Sequence, residues 1–312
     1  MSKSIASNKT SNISVILPAK NEAENLTLLL PKLKNRLETI DSDFDIIVID
    51  DGSTDNTKDV CKQHNVTVYS HPYSMGNGAS IKTGARMAQG NILVCMDADG
   101  QHDPDDIPHL LNKLNEGYDM AVGARHTSTH ASFARFSANL FYNKFASLMT
   151  GRKIQDLTSG FRAVRARHFK KFLYLLPNGF SYPTTSTMAF FRSGLPVGYV
   201  PVHAKARKGK SKIRIFQDGL RFFLIIIKVG ALFSPMRFFL PISLTVFGLG
   251  LSYYLYTYFS FGRFTNMSAV LFLSSLFIFL IGILSEQISS LHYRGVENDM
   301  RRIKRDDQHD LE

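Results

Sequence analysis

The sequence predicts an α/β domain on a mainly parallel sheet with helices on both faces, followed by a C-terminal interfacial helix and a two-helix transmembrane hairpin. Three observations carry this. Apolar strand-like runs alternate with helical patterns from residue 13 to about residue 210, the alternation that builds parallel sheets. Acidic clusters follow those runs directly, at the strand ends where ligands bind in such folds. From residue 238 onward, the stretches 238–259 and 269–284 hold no charged residue.

The elements follow in order. Residues 1–12 are polar and lack the apolar segment of a secretory signal, so they read as a flexible tail. Ile13 to Leu17 is a strand ended by Pro18. Asn21 caps the next helix, with Glu24 in the capping-box position, and Pro31 predicts a kink or a break in it. Ile46 to Ile49 is a continuous apolar run, the pattern of a strand covered on both faces. Ser53 or Thr54 caps the helix after it. Residues 76–89 read as a glycine-rich turn leading into a helix stopped at Gly90. Ile92 to Met96 is a third buried strand and Met120 to Val122 a fourth.

Each charge-free stretch approaches the roughly 20 residues needed to cross a bilayer. The connector at 261–265 turns them into a hairpin, and no remaining sequence surrounds both as core helices. Tyr253, Tyr254, Tyr256 and Tyr258 form an interfacial aromatic belt towards one end of the first span. Basic residues crowd 205–214 before the hairpin and 301–305 after it, whereas the connector holds only Arg263. The positive-inside rule therefore places the soluble domain and both termini in the cytoplasm. Arg214, Arg221 and Lys228 recur every seventh residue beside an apolar face, as in a helix lying on anionic headgroups. The chain thus divides into a tail at 1–12, an α/β domain at 13–211, an interfacial segment at 212–237, the hairpin at 238–290 and a charged tail at 291–312.

Composition sets bounds on function. The chain has 312 residues, 44% hydrophobic and 20% charged, enough for a real core and too apolar for wholesale disorder. Cys61 and Cys95 are too few for a disulfide framework and suit a reducing, cytosolic setting. The net charge of +11 points to an anionic partner.

Asp97-Ala98-Asp99-Gly100-Gln101 closes the third strand. Two carboxylates on alternate residues, joined by Gln101, form an oxygen-rich mouth suited to Mg²⁺ or Mn²⁺. An EF-hand counted from Asp97 needs glycine sixth and glutamate twelfth; His102 and Pro108 stand there, which excludes it. A phosphatase-type Asp-x-Asp nucleophile stays open on these residues alone. Asp50-Asp51-Gly52-Ser53-Thr54-Asp55 follows the second strand, where a carboxylate can hold a ribose hydroxyl or a base edge, though a plain turn explains it equally well. Pro18-Ala19-Lys20-Asn21-Glu22 follows the first. Lys82, Arg86 and Arg125 are single cations, but residues 207–212 (Arg-Lys-Gly-Lys-Ser-Lys) form a dense basic loop able to hold a phosphate at a membrane surface.

In this order the motifs resemble the family 2 glycosyltransferases with the GT-A fold. Within them the similarity is to the polyprenyl-phosphate group, which includes dolichyl-phosphate mannose synthases and bacterial polyprenyl-phosphate glucosyltransferases. It spans about residues 13–290 and continues through Gly123-Ala124-Arg125, Asp156-Leu157-Thr158-Ser159-Gly160-Phe161-Arg162 and the basic loop. The chain departs at Lys20, where the family often carries a tyrosine, and at Ala206, where some members place the basic-loop arginine. The resemblance implies that Pro18, Glu22 and Asp51 hold the donor nucleotide, and that Asp97, Asp99 and Gln101 bind metal and diphosphate with Ala98 between them. It implies that Arg125 contacts a phosphate of donor or acceptor, that Ser159 and Arg162 lie near the acceptor phosphate, and that Arg207 and Lys212 close over the site. Asp99, Arg125 and Asp156 are the catalytic candidates, Asp156 either orienting groups or acting as a base.

The implied reaction moves a hexose from a nucleotide sugar, of the UDP-glucose or GDP-mannose type, to a polyprenyl or dolichyl phosphate at the cytoplasmic face of the bilayer. A lipid phosphate is already anionic and attacks the anomeric carbon without a strong base, inverting it. The task is then to align two repelling anions, which accounts for the basic excess without nucleic acid. A processive polysaccharide synthase is the first alternative. Such enzymes share a Gln-x-x-Arg-Trp motif, and this chain has no tryptophan. A non-catalytic scaffold or lipid transporter is the second, and the intact Asp97, Asp99 and Gln101 set argues against decay. A homo-oligomer through the hairpin is left open by the sequence.

Overall fold

β1 (Ile13–Ala19) is buried along almost its whole length, and the continuous apolar run of β2 (Phe44–Asp50) lies beside it in parallel register, Val15 opposite Ile46 and Leu17 opposite Val48. The computed structural model describes residues 12–40, 42–125, 143–179, 181–202 and 233–309, with side chains described as far as 291. Around the first pair the sheet grows to seven strands, adding β3 (Thr67–Ser70), β4 (Ile92–Cys95), β5 (Met120–Arg125), β6 (Arg162–Arg165) and β7 (Val197–Val202) in the order β3-β2-β1-β4-β6-β5-β7. Only β6 runs against its neighbours, antiparallel to both β4 and β5. That reversal brings the start of β6 to the edge where β1, β2, β4 and β5 end, with Arg162 opposite Cys95.

The helices are α1 (Ala23–Glu38), α2 (Thr57–Gln63), α3 (Asn77–Met87), α4 (Ile107–Asn115), α5 (Ala166–Lys171) and α6 (Tyr182–Arg192). Leu26, Leu30, Leu33 and Leu37 of α1 and Leu110 and Leu114 of α4 share one cluster with Val15, Leu17, Val48 and Val94 of the sheet. Each of these leucines is fully buried, a contribution of about 2 kcal/mol apiece. On α3, a side chain at Gly84 would collide with Ile16 of β1, so a glycine lets this helix lie close on the sheet.

Several local expectations are corrected. β1 runs through Pro18, which pairs opposite Ile49. Helix α1 is not broken at Pro31. Pro31 and Thr27 sit on its exposed face, where the carbonyl that a proline cannot pair meets water, while the leucine stripe holds the opposite face. Asn21 does not cap α1: it adopts a left-handed φ of 56°, and its Oδ1 accepts from Thr54 N at 2.8 Å. The α1 amides are met from the next βα loop instead, Ala23 N donating to Asp55 Oδ2 at 3.2 Å and Glu22 N to Thr57 Oγ1 at 3.1 Å. Neither Ser53 nor Thr54 caps α2; Asp55 Oδ1 accepts from Thr57 N at 3.0 Å.

The described residues fall into two units. The sheet and its helices are the first. The second holds residues 147–152 with α7 (Pro235–Phe261) and α8 (Asn266–His309). Residues Pro235–Phe261 and Asn266–Leu291 are long and apolar enough to cross a membrane, with mean hydropathy of 1.6 and 2.6 and only 11% and 17% of their apolar windows buried. Gly262 turns the chain between the helices with a left-handed φ of 61°. Ser243 and Ser275 clasp them, each hydroxyl donating to the other's carbonyl at 2.9 and 3.0 Å. Tyr254 packs against Tyr258, Phe264 and Phe272. At the hairpin base, Ser234 Oγ and Arg237 Nη1 both donate to the Met149 carbonyl, at 2.8 and 2.9 Å. The tail at 1–11, the greater part of the interfacial segment with Arg214, Arg221 and Lys228, and the side chains of 301–305 lie outside the described residues.

Candidate functional site

β4 delivers Asp97 and Asp99 to the carboxyl edge of the sheet, Met96 N still bonding to Ile16 O at 3.1 Å as the strand ends. The chain then turns at Gly100, whose φ of 74° suits glycine. Asp99 is fixed locally: Oδ1 accepts from Gln101 N at 3.1 Å and Oδ2 from Gln101 Nε2 at 2.8 Å. With its amide nitrogen thus engaged, Gln101 keeps its amide oxygen as an acceptor. Ala98 is 2% exposed and offers only its backbone. Asp97 is held from three sides. Asn77 Nδ2 donates to Oδ1 at 3.2 Å, His102 Nε2 stands 3.7 Å from Oδ2, and Gly160 closes the third side. Burial works against its charge, yet the approach of His102, the Asn77 bond and the positive Arg125 outweigh it and hold the pKa below the ordinary carboxylate value. His102 is itself buried, stacked on Phe161 at 5.0 Å.

The first two strand ends are tied together. Asp51 N donates to Ala19 O at 2.8 Å, and Asn21 N to Ser53 Oγ at 2.9 Å. Pro18 is partly exposed here, and Glu22 Oε2 accepts from Asn25 Nδ2 at 2.6 Å. Asp51 differs from a ligand-facing carboxylate. Its side chain is 7% exposed and both oxygens are taken. Oδ1 accepts from His71 Nδ1 and Met75 N, each at 2.8 Å, and Oδ2 from Ser74 Oγ at 2.8 Å and Gly76 N at 2.9 Å. Burial raises its pKa, but these donors more than offset that and leave it lowered. An anionic acceptor at Oδ1 calls for a proton on His71 Nδ1, and Nε2 lies 3.0 Å from Thr83 Oγ1. Asp51 therefore fastens the turn that starts α3.

Past β5, Arg125 and Asp156 form a fork. Arg125 Nε lies 2.7 Å from Oδ2 and Nη2 3.0 Å from Oδ1. Asp156 also accepts from the backbone of Arg125, Thr158 and Ser159. Burial opposes its charge, but Arg125 and these amides lower its pKa. A carboxylate so engaged orients its neighbours and is a poor base. Arg125 keeps a third of its side chain exposed, with Nη2 also donating to Thr158 Oγ1 at 2.6 Å. Ser159 is 1% exposed, and its hydroxyl has no partner among the described residues. Arg162 is fully buried; its side chain turns inward and does not reach an open surface. Arg207 and Lys212 lie outside the described residues.

Asp97, Asp99 and Gln101 are hard oxygen donors, the chemistry Mg²⁺ and Mn²⁺ prefer. Among the described residues no group of three His, Cys, Asp or Glu side chains gathers into a closed cage. A cation at Asp97, Asp99 and Gln101 would therefore need further ligands, such as waters or substrate phosphates. The adjacent thiol of Cys95 is fully buried and its pKa is pushed up to about 12 by burial, so it offers no thiolate. Sequence reasoning missed Asn77 and His71, which reach Asp97 and Asp51 across 20 residues each. The only local signal at Asn77 is its place between Gly76 and Gly78.

A family model described as glycosyl transferase family 2 matches residues 14–173, and one described as the GtrB C-terminal hairpin matches residues 234–291. Among solved structures, the glucosyl-3-phosphoglycerate synthase of Mycobacterium tuberculosis with Mn²⁺, uridine-diphosphate-glucose and phosphoglyceric acid aligns at a TM-score of 0.57 and 19% identity, over 70% of this chain and 79% of that one. The same synthase with uridine-diphosphate aligns at 0.56 and 21%, over 70% and 79%. At such identities the likeness is one of fold.

Proposed function

This chain belongs to glycosyl transferase family 2, and on that premise we propose that it transfers a hexose from a nucleotide sugar to a polyprenyl or dolichyl phosphate at the cytoplasmic face of a membrane. The observation that carries the reading is one chain joining a strand-end Asp97/Asp99/Gln101 mouth to two apolar helices that match a GtrB hairpin. The first suits a diphosphate with its metal, and the second suits a lipid acceptor. The relatives of known structure bind Mn²⁺ and uridine-diphosphate-glucose, which supports a divalent cation and a nucleotide sugar here.

Asp97, Asp99 and Gln101 would hold Mg²⁺ or Mn²⁺, which when bound neutralises charge on the leaving diphosphate. Pro18 and Glu22 line the donor side. Asp51 serves that side indirectly, through the Ser74–Gly76 turn it fastens. Arg125 presents a cation held in place by Asp156, and Ser159, whose hydroxyl is buried, serves the acceptor side through its backbone bond to Asp156. Arg207 and Lys212 supply further positive charge for the lipid phosphate. The acceptor phosphate oxygen bonds to the anomeric carbon as the bond to the nucleoside diphosphate breaks on the opposite face. The product is inverted at that carbon, and no proton need be removed from an already ionised phosphate. The protein's work is to desolvate and align the two anions, and the lowered pKa of Asp156 agrees with an orienting role. The positive-inside pattern supports cytoplasmic termini.

Incubation of the full chain in detergent with labelled UDP-glucose or GDP-mannose, Mg²⁺ and a polyprenyl phosphate tests the reading. Label partitioning into the organic phase with at least one donor supports it, and none with any donor across a wide panel opposes it.

A further inference from the structure

Gly160 is a glycine because of what faces it. A Cβ at this position would fall 2.7 Å from Asp97 Oδ2, 3.3 Å from Cγ and 3.4 Å from Oδ1, and these carboxylate atoms are its three nearest neighbours. Its φ lies outside the left-handed region, so the need is for space rather than for backbone freedom. The carboxylate of Asp97 rests directly on the bare face of Gly160.

The backbone behind that face is anchored from below. Tyr182 Oη donates to the Gly160 carbonyl at 3.2 Å, and Arg162 Nη2 donates to the Ser159 carbonyl. Tyr182 is 1% exposed and Arg162 is fully buried. The other terminal nitrogen, Nη1, reaches α6, donating to Pro183 O at 3.0 Å, Ser186 Oγ at 2.7 Å and Thr187 Oγ1 at 3.2 Å. These acceptors are neutral, and among the described residues no carboxylate pairs with Arg162. A guanidinium stays charged when buried, and burying one without a counterion is costly. The cost is understandable where the rigid fork fixes a backbone that must not move.

We propose that Gly160 and Arg162 are positioning residues for Asp97: the buried fork of Arg162, with Tyr182, fixes the Ser159–Gly160 backbone, and the bare face of Gly160 sets the orientation of the Asp97 carboxylate toward a divalent cation. This rests on the reading of Asp97 as a metal ligand. It departs from a direct role for Arg162 at the acceptor phosphate, because the side chain is fully buried and both terminal nitrogens donate to internal acceptors, while Nε is buried and has no hydrogen-bond partner among the described residues.

Mn²⁺ binding to the full chain in detergent, followed by electron paramagnetic resonance in the presence of uridine or guanosine diphosphate, tests the proposal without turnover. Gly160→Ala weakens Mn²⁺ binding by about tenfold, the scale of an outer-shell loss, while the melting temperature stays near that of the parent. Gly179→Ala makes the same chemical change in open space and leaves the affinity unchanged. Tyr182→Phe keeps the ring, loses only the bond to Gly160 and weakens binding by about threefold, which provides a readout should Gly160→Ala fold poorly. Arg162→Lys keeps the charge, loses the fork and shifts the affinity in the same direction. Parental Mn²⁺ affinity in folded Gly160→Ala, or in Tyr182→Phe and Arg162→Lys together, overturns the proposal and leaves the transferase reading standing. No Mn²⁺ binding by the parent chain with either diphosphate overturns both.

Discussion

The side chain of Arg125 grips Asp156 with two nitrogens, Nε at 2.7 Å and Nη2 at 3.0 Å, and in doing so it settles what each can do. The carboxylate is spent on orientation and the guanidinium is left with one partly open side. Lysine cannot reproduce a planar two-point grip. Arg125→Lys is therefore expected to lower kcat/KM for the acceptor by about tenfold or more, with donor binding nearly intact. Asp156→Asn is expected to act in the same direction. A rate that falls as pH is lowered through neutrality in the parent chain, as for a titrating base, would instead point to proton abstraction by a different group.

Asp99 accepts from Gln101 with both oxygens and is half-buried. Asp99→Ala is expected to reduce turnover by at least about a hundredfold, the scale of losing electrostatic stabilisation of a leaving group. Its melting temperature should change little. Initial rates and a thermal melt on one preparation check both halves, and unchanged activity removes Asp99 from the site.

Asp51 behaves differently because its partners are structural. Asp51→Ala orphans His71, Ser74, Met75 and Gly76. The expected loss of stability is about 2–3 kcal/mol, together with weaker donor binding as the turn before α3 loosens. Chemical denaturation and nucleotide titration would register the two effects. Direct donor contact without structural duty would weaken donor binding alone.

Acid should expose these carboxylates. The pKa values of Asp51, Asp97 and Asp156 are lowered in the folded chain, against burial, by hydrogen bonds and nearby positive charge. Their contribution to stability is complete above the unfolded carboxylate value of about 4 and is lost as pH falls through the lower folded values. Melting temperature should thus be level near neutrality and drop in acid. Asp156→Asn should begin less stable and lose less on acidification, which melts across a pH series would reveal.

Much of the fold was legible where burial is continuous. The runs at Ile46–Ile49 and Ile92–Cys95 announce strands because both faces are covered. β3, β6 and β7 escaped notice for distinct reasons. Thr67–Ser70 is a short edge strand with little burial. Arg162–Arg165 begins and ends with arginine and looks solvent-facing, although Arg162 is core. Val197–Val202 contains Gly198 and Pro201, residues that argue against a strand. Asp97, Asp99 and Gln101 stood out as candidates because strand ends in such sheets are where ligands bind. The inward turn of Arg162, the saturation of Asp51 and the grip of Asn77 on Asp97 are tertiary facts that no spacing encodes.

Mass spectrometry of the lipid fraction tests the central claim most directly. The full chain is incubated with a polyprenyl phosphate, Mg²⁺ and a panel of nucleotide sugars, beside Asp99→Ala. The predicted result is a lipid phosphate one hexose heavier with at least one donor, formed with release of the nucleoside diphosphate and absent with Asp99→Ala. An unchanged lipid with every donor, or a heavier product formed equally by Asp99→Ala, contradicts the account.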